Sequence, residues 1–173
     1  MNADEMSSAA ATPAVTVIVP TYNEADSIPI VIERVLALGP QYRMLVVDDS
    51  SPDGTATIVE GLRTVNPGRI ELLVRPKKEG IGRAYVAGFR LALRSRADLI
   101  ATMDADLSHD PADLARLVDA TKDAALVLGS RYVDGGDTQG WPMHRRMISR
   151  IGGRYARVVL GVPIQDLTGG FKV

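Results

Sequence analysis

Short apolar, often β-branched runs alternate along this chain with stretches whose apolar residues recur at helical spacing. This alternation limits the fold more than any other feature of the sequence. The runs are Val15–Val19, Met44–Asp48, Ile70–Val74, Leu99–Met103 and Ala125–Leu128. They are too short for stable helices and read as strands. Between them, Ile28 to Leu38 carries a helical pattern, with Asp26 or Ser27 as its cap and Pro29 in its first turn. Thr55 to Val65 repeats the pattern through Ile58, Val59 and Leu62, and Ala84 to Leu93 does so again. Asp110-Pro111-Ala112-Asp113 opens a further helix with a capping carboxylate, a proline and a first-turn acid.

Strands alternating with helices predict an α/β fold: a mostly parallel central sheet flanked by helices and connected by right-handed crossovers. No internal repeat and no linker divides the chain, so residues 14–173 read as one domain. Residues 1–13, rich in Ala and Ser, read as a disordered tail. In such sheets ligands bind beyond the carboxyl ends of the strands, so functional residues are expected directly after each run.

Composition removes several alternatives. The net charge of −1 over 173 residues gives no global field directed at nucleic acid. The absence of cysteine excludes a disulfide framework, a thiolate metal site and a cysteine nucleophile. No apolar run approaches the roughly 20 residues that span a bilayer.

The unusual residues do follow the runs. Pro20-Thr21-Tyr22-Asn23-Glu24 comes after the first, and Asp48-Asp49-Ser50-Ser51-Pro52-Asp53-Gly54-Thr55 closes the second. Asp104-Ala105-Asp106 comes after the fourth, and Gly129-Ser130-Arg131-Tyr132 after the fifth. Asp104 and Asp106 are the sharpest signal. A tight turn past a strand aims two carboxylates at one point, and hard cations such as Mg²⁺ or Mn²⁺ take oxygen ligands. The alternative is a surface loop that caps the next helix. Asp48 and Asp49 end a buried strand, where adjacent acids need partners. Ser50 to Gly54 is turn chemistry, so Asp49 is expected to face a ligand and Asp53 to cap a helix. Tyr22 suits stacking on a base, Glu24 suits accepting from base or ribose, and Arg131 suits bidentate contact with phosphate. Each taken alone is more often a solvated surface residue.

Pro76 to Ala84 is a basic, glycine-containing loop that opens a helix, and its backbone N–H groups suit an anion. Gly80, Gly82 and Gly88 lack the dinucleotide spacing and follow the third strand rather than the first. From Thr138 to Gln165 there is no acidic residue. Arg145, Arg146, Arg150, Arg154 and Arg157 share that stretch with Met147, Ile148, Ile151, Tyr155 and Val158 at helical spacing. A basic amphipathic helix suits an anionic membrane surface. The alternative is a core-packed helix with a solvated basic face, and Gly152-Gly153 works against any helix. His109 and His144 stand apart from these motifs and read as structural.

Taken in order, Val-Pro-Thr-Tyr-Asn-Glu, Val-Val-Asp-Asp-Ser-Ser-Pro-Asp-Gly-Thr, Met-Asp-Ala-Asp-Leu-Ser-His-Asp-Pro, Gly-Ser-Arg-Tyr-Val and Asp-Leu-Thr-Gly-Gly-Phe-Lys resemble the dolichol-phosphate mannose synthases. These belong to the family 2 glycosyltransferases and include bacterial polyprenol-phosphate mannose synthases. The resemblance runs from Val15 to Lys172. It implies a GT-A fold and an inverting transfer of mannose from GDP-mannose to dolichyl or polyprenyl phosphate. It further implies that Pro20, Tyr22, Glu24, Val47 and Asp49 line the guanosine. Asp104, Ala105 and Asp106 would meet ribose, diphosphate and a Mg²⁺ or Mn²⁺ ion, with Ser108 reaching the metal through water. Arg131 would contact a donor or acceptor phosphate, with Asp104, Asp106 and Arg131 as the catalytic group and Lys172 near the acceptor phosphate. A lipid acceptor implies peripheral placement at the cytoplasmic face of a membrane. The family's catalytic domain continues past the Thr-Gly-Gly-Phe motif, so the domain is expected to be incomplete at its C-terminal end. Two other readings keep the same motifs: a UDP-glucose-dependent polyprenyl-phosphate glucosyltransferase, and a non-catalytic nucleotide-sugar-binding subunit.

Overall fold

The computed structural model describes residues 12–130 and 170–173. The expectation for the first residues of the tail therefore lies outside the described residues, as do Arg131, His144 and the whole Arg145–Arg157 segment.

The elements run β1 (Val15–Thr21), α1 (Ile28–Ala37), β2 (Tyr42–Asp48), α2 (Thr55–Val65), β3 (Ile70–Val74), α3 (Ile81–Ala92), β4 (Leu99–Thr102) and α4 (Ala112–Ala120). The four strands form one parallel sheet in the order β3-β2-β1-β4. β1 to β2 and β2 to β3 step in one direction, whereas β3 to β4 returns across the sheet. With right-handed crossovers this reversal puts α1 and α2 on one face and α3 on the other.

The strand side chains follow the same division. Val15, Val17 and Val19 of β1 and Met44 and Val46 of β2 pack with Ile28, Val31, Ile32 and Val35 of α1. Ile18, Leu45 and Val47 pack with Ala84 and Ala92 of α3. Because both faces are covered, the central strands are continuously apolar rather than alternating. α3 lies very close to the sheet. A Cβ on Gly88 would come within 2.6 Å of Ile18 Cγ2 and 3.2 Å of Val47 Cγ2.

Two sequence expectations need correction. The run at Ala125–Leu128, expected as a strand of the mostly parallel sheet, forms only an isolated antiparallel bridge and does not join the parallel sheet next to β4. Residues 171–173 lie between them, antiparallel to both. Thr102 and Lys172 exchange backbone hydrogen bonds of 2.8 and 3.1 Å, and Val127 and Val173 exchange two of 2.8 and 2.9 Å. Phe171 and Val173 are buried in the α1-side core, which is what holds this segment in place. Second, α3 begins at Ile81 rather than Ala84. Gly80, at φ +92° and ψ +154°, makes the turn into the helix directly, in a region that essentially only glycine occupies. Among the described residues no helix is long and apolar enough to cross a membrane.

Candidate active site

The sheet reverses its winding between β1 and β4, and at that switch point the carboxyl ends of the two strands open a crevice. A cavity of about 270 Å³ occupies it, lined by Pro20, Thr21, Tyr22, Glu24, Asp49, Lys78, Gly80, Ile81, Ala84, Asp104, Ala105 and Asp106. Three strand ends and the start of α3 therefore meet at one place.

The strand-end loops are held in unusual backbone conformations. Asn23, Ser50 and Leu107 have φ of +62°, +55° and +61°, in the left-handed region. Asparagine tolerates this, but for a bulky residue such as Leu107 it is a true outlier, with a cost on the order of 1–3 kcal/mol. Such strain persists only where surrounding contacts impose it. The loop after β1 is fixed by side chains of the loop after β2. Ser51 Oγ accepts from the Asn23 N–H (3.0 Å), Thr55 Oγ1 from Glu24 N–H (3.0 Å) and Asp53 Oδ2 from Ala25 N–H (3.0 Å). Asp53 Oδ1 also accepts from the Thr55 N–H and hydroxyl at the head of α2. The Thr55 hydroxyl, despite opposing burial, and the backbone N–H groups of Ala25 and Thr55 hold the Asp53 carboxyl below its ordinary range. At α1, the expected cap Ser27 turns away from its helix and donates instead to Glu24 Oε2 (2.6 Å), orienting a carboxylate that belongs to the cavity wall.

The two adjacent aspartates diverge. Asp48 is buried and accepts from the Thr21 hydroxyl (2.9 Å), the Ser51 hydroxyl (2.6 Å) and the Ser51 N–H (2.9 Å). Asp49 lines the cavity, and its Oδ1 receives Arg75 Nη1 at 2.7 Å in a buried ion pair. Arg75 Nη2 reaches Glu79 Oε2 at 2.9 Å, which ties the loop after β3 to the end of β2. Sequence reasoning missed Arg75. The signal was available: two acids at a buried strand end require a counter-charge. The β2–β3 register pairs Asp48 with Val74, which sets Arg75 beside Asp49. The basic loop expected to suit an anion does reach the cavity, and Lys78 Nζ sits 3.7 Å from the centroid of the Tyr22 ring.

Asp104 and Asp106 follow β4. Asp104 Oδ1 accepts from the Tyr85 hydroxyl at 3.0 Å, and the Asp104 N–H donates to His109 Nδ1 at 3.2 Å. Burial, then the neighbouring Asp104 charge, pushes the Tyr85 phenol far up, so it is a donor throughout the neutral range. His109 also stacks on Phe171, with ring centroids 5.1 Å apart, so it is no isolated residue but part of the support beneath Asp104. Burial would raise the Asp106 carboxyl, but hydrogen bonds from Ser108 and the nearby His109 outweigh it and hold the carboxyl below its usual range. The Ser108 hydroxyl thus serves Asp106. Among the described residues no three His, Asp or Glu side chains converge as a ready-made cation site. Two carboxylates on one turn nevertheless fit Mg²⁺ or Mn²⁺, which commonly take one or two carboxylates and complete the shell with water and phosphate oxygens.

The remaining expected residues are placed as follows. The Val47 side chain is fully buried under Gly88 and is core, not cavity wall, because its position in β2 faces α3. Lys172 lies on the returning segment, its backbone bridged to Thr102 and Leu128. Arg131 lies outside the described residues.

With this geometry in hand, comparison with known proteins is decisive for the family. Residues 16–173 match the family described as Glycosyl transferase family 2. The chain belongs to that family. This family 2 chain is 45% identical over 157 residues to a polyprenol monophosphomannose synthase of Mycolicibacterium smegmatis, covering 90% of the chain and 59% of the relative. It is 44% identical over 158 residues to an undecaprenyl-phosphate mannosyltransferase of Micrococcus luteus, covering 91% and 65%. It therefore spans about three fifths of the length of these curated relatives. Among solved structures it resembles a mannosyltransferase from Pyrobaculum calidifontis in complex with GDP-Man and Mn²⁺. That match has 29% identity and a TM-score of 0.56, covering 65% of this chain and 33% of the other. A glucosyl-3-phosphoglycerate synthase from Mycobacterium tuberculosis matches with a TM-score of 0.64 at 21% identity, covering 93% and 56%, and supports the GT-A fold alone.

Proposed function

We propose that this chain is the donor-binding part of an inverting mannosyltransferase that moves mannose from GDP-mannose to a polyprenyl phosphate. The observation that carries the reading is the position of Asp104 and Asp106 in a cavity shared with Tyr22, Glu24 and Asp49 at the switch point of the sheet. The names of the two bacterial relatives at 44–45% identity support the lipid phosphate acceptor and the mannosyl group. The mannosyltransferase solved with GDP-Man and Mn²⁺ supports the nucleotide and the cation.

In this reading Tyr22, Glu24, Pro20 and Asp49 receive the nucleoside, and Asp104 and Asp106 hold Mg²⁺ or Mn²⁺. The cation, when bound, neutralises charge on the departing diphosphate. The acceptor phosphate oxygen forms a bond to the anomeric carbon as the bond from that carbon to the diphosphate oxygen breaks, with inversion. A phosphate monoester has a second pKa of about 6, so the attacking oxygen is already anionic and needs no strong base from the chain. The chain's work is positioning and charge compensation. Arg131 and Lys172 are assigned to the phosphates, and the Arg145–Arg157 segment to a peripheral contact at the cytoplasmic face of a membrane.

The test is transfer of labelled mannose from GDP-mannose to a short polyprenyl phosphate with Mn²⁺ present, beside an equal arm with UDP-glucose. The reading expects mannolipid from the first arm only, and Asp106→Ala should lower the rate on the order of 10²-fold or more. Transfer from UDP-glucose alone would overturn the donor assignment. GDP binding with no transfer from either donor would favour a binding subunit.

A further inference from the structure

The Asp104 carboxylate opens on the cavity, but groups from α3, from the returning segment and from its own turn pack around it. The Tyr85 hydroxyl, on α3, donates to Oδ1 at 3.0 Å. The backbone of Gly170 packs so closely that a Cβ there would lie 2.5 Å from Oδ2 and 2.6 Å from Oδ1. Gly170 is in turn held by the Thr102 hydroxyl, which donates to its carbonyl at 2.7 Å. His109 accepts from the Asp104 N–H at 3.2 Å. Tyr85 is not among the residues that line the cavity, so its polar end is directed at the carboxylate rather than at a ligand. Gly88, one turn further along α3, lets the helix approach the sheet closely, and this brings the phenol within reach of the end of β4.

We propose that Tyr85 is a positioning residue for the cation site. Its hydroxyl fixes one Asp104 carboxylate rotamer against the Gly170 backbone, so that the site is set before cation and nucleotide arrive. The inference rests on the assignment of Asp104 to a divalent cation. It adds that the cation's affinity is set partly from α3, a helix the motif itself does not include. Partners that orient a metal-binding carboxylate typically change metal affinity by about 10- to 100-fold when removed.

The experiment compares the full chain with Tyr85→Phe, which keeps the ring and removes only the hydroxyl. GDP affinity is measured by calorimetry without metal and across a Mn²⁺ titration, with the thermal midpoint recorded for each protein. We expect Tyr85→Phe to need about tenfold more Mn²⁺ for the same gain in GDP affinity, with metal-free GDP affinity and midpoint nearly unchanged. Gly170→Ala, which crowds the carboxylate from its other side, should show the same metal-selective loss. If both variants keep the wild-type Mn²⁺ dependence, the positioning role is overturned while the cation assignment stands. If Tyr85→Phe lowers metal-free and metal-dependent affinity in proportion, the hydroxyl is merely structural and the role is again overturned. If the wild-type chain itself gains no GDP affinity from Mn²⁺, the cation assignment falls and the proposal falls with it.

Discussion

Asp48 and Asp49 show how far neighbouring residues of one type can differ in task. Asp48 has three donors arranged around it and is closed off from the cavity, whereas Asp49, though buried, borders the cavity and is paired with Arg75. That Asp49 lines the cavity was expected from the turn chemistry of Ser50 to Gly54, which leaves Asp49 as the last residue before the turn. The need for a counter-charge was legible too, but not that Arg75 supplies it, because that depends on the register of two strands that no local pattern reports. Arg75→Met should leave the Asp49 carboxylate buried without its partner and cost about 3–5 kcal/mol of stability in urea unfolding. A loss below about 1 kcal/mol would show that solvent already screens the pair. Asp53 supplies a pH test. Its folded-state pKa lies below the ordinary 3.8, so its contribution is fully present above that value and is lost as the pH falls through the folded pKa. Asp53→Asn should therefore flatten the acid side of the stability curve below about pH 4. An unchanged acid slope would remove Asp53 as a source of it.

Among the elements, α3 joins fold to site most directly. It covers one face of the sheet through Ala84, Gly88 and Ala92, and the same helix brings Ile81 and Ala84 to the cavity and Tyr85 to Asp104. Gly88→Ala places a methyl 2.6 Å from Ile18 Cγ2 and must push the helix outward. It should cost about 1–3 kcal/mol by overpacking and weaken nucleotide binding as well. A stability loss with unaltered binding would uncouple the helix from the site. Periodicity found four strands and three helices to within about three residues at each end, and the Asp110-Pro111 signal marked the start of the fourth helix, because two-sided burial makes short apolar runs conspicuous. The Ala125–Leu128 run was visible too, but not its partner. Its neighbour is a segment more than forty residues later, and a pairing that distant leaves no mark in either stretch. The early start of α3 was hidden for a different reason, since Gly80 reads as a breaker in sequence but here makes the turn that begins the helix.

For the whole molecule, strand order decides where chemistry is done. The sheet winds outward through β2 and β3 and then returns to β4, so the carboxyl ends of β1 and β4 stand side by side, and among the described residues a crevice opens between them. Motifs spread over more than eighty residues, from Tyr22 to Asp106, are thereby gathered at one cavity. The α/β class and the position of the cavity were legible in the sequence because both follow from the alternation of elements and the handedness of crossovers. The supports of Asp104 and Asp106, the two acids proposed to hold the cation, were not: Tyr85, His109 and Gly170 meet them through contacts that only packing brings together. The most direct test is a crystal of the chain soaked with GDP and Mn²⁺ and measured for anomalous scattering. A single Mn²⁺ peak at coordination distance, about 2.0–2.3 Å, from carboxylate oxygens of Asp104 or Asp106 and from the GDP phosphates is the predicted result. GDP seated in the cavity with no Mn²⁺ peak at either aspartate would contradict the account.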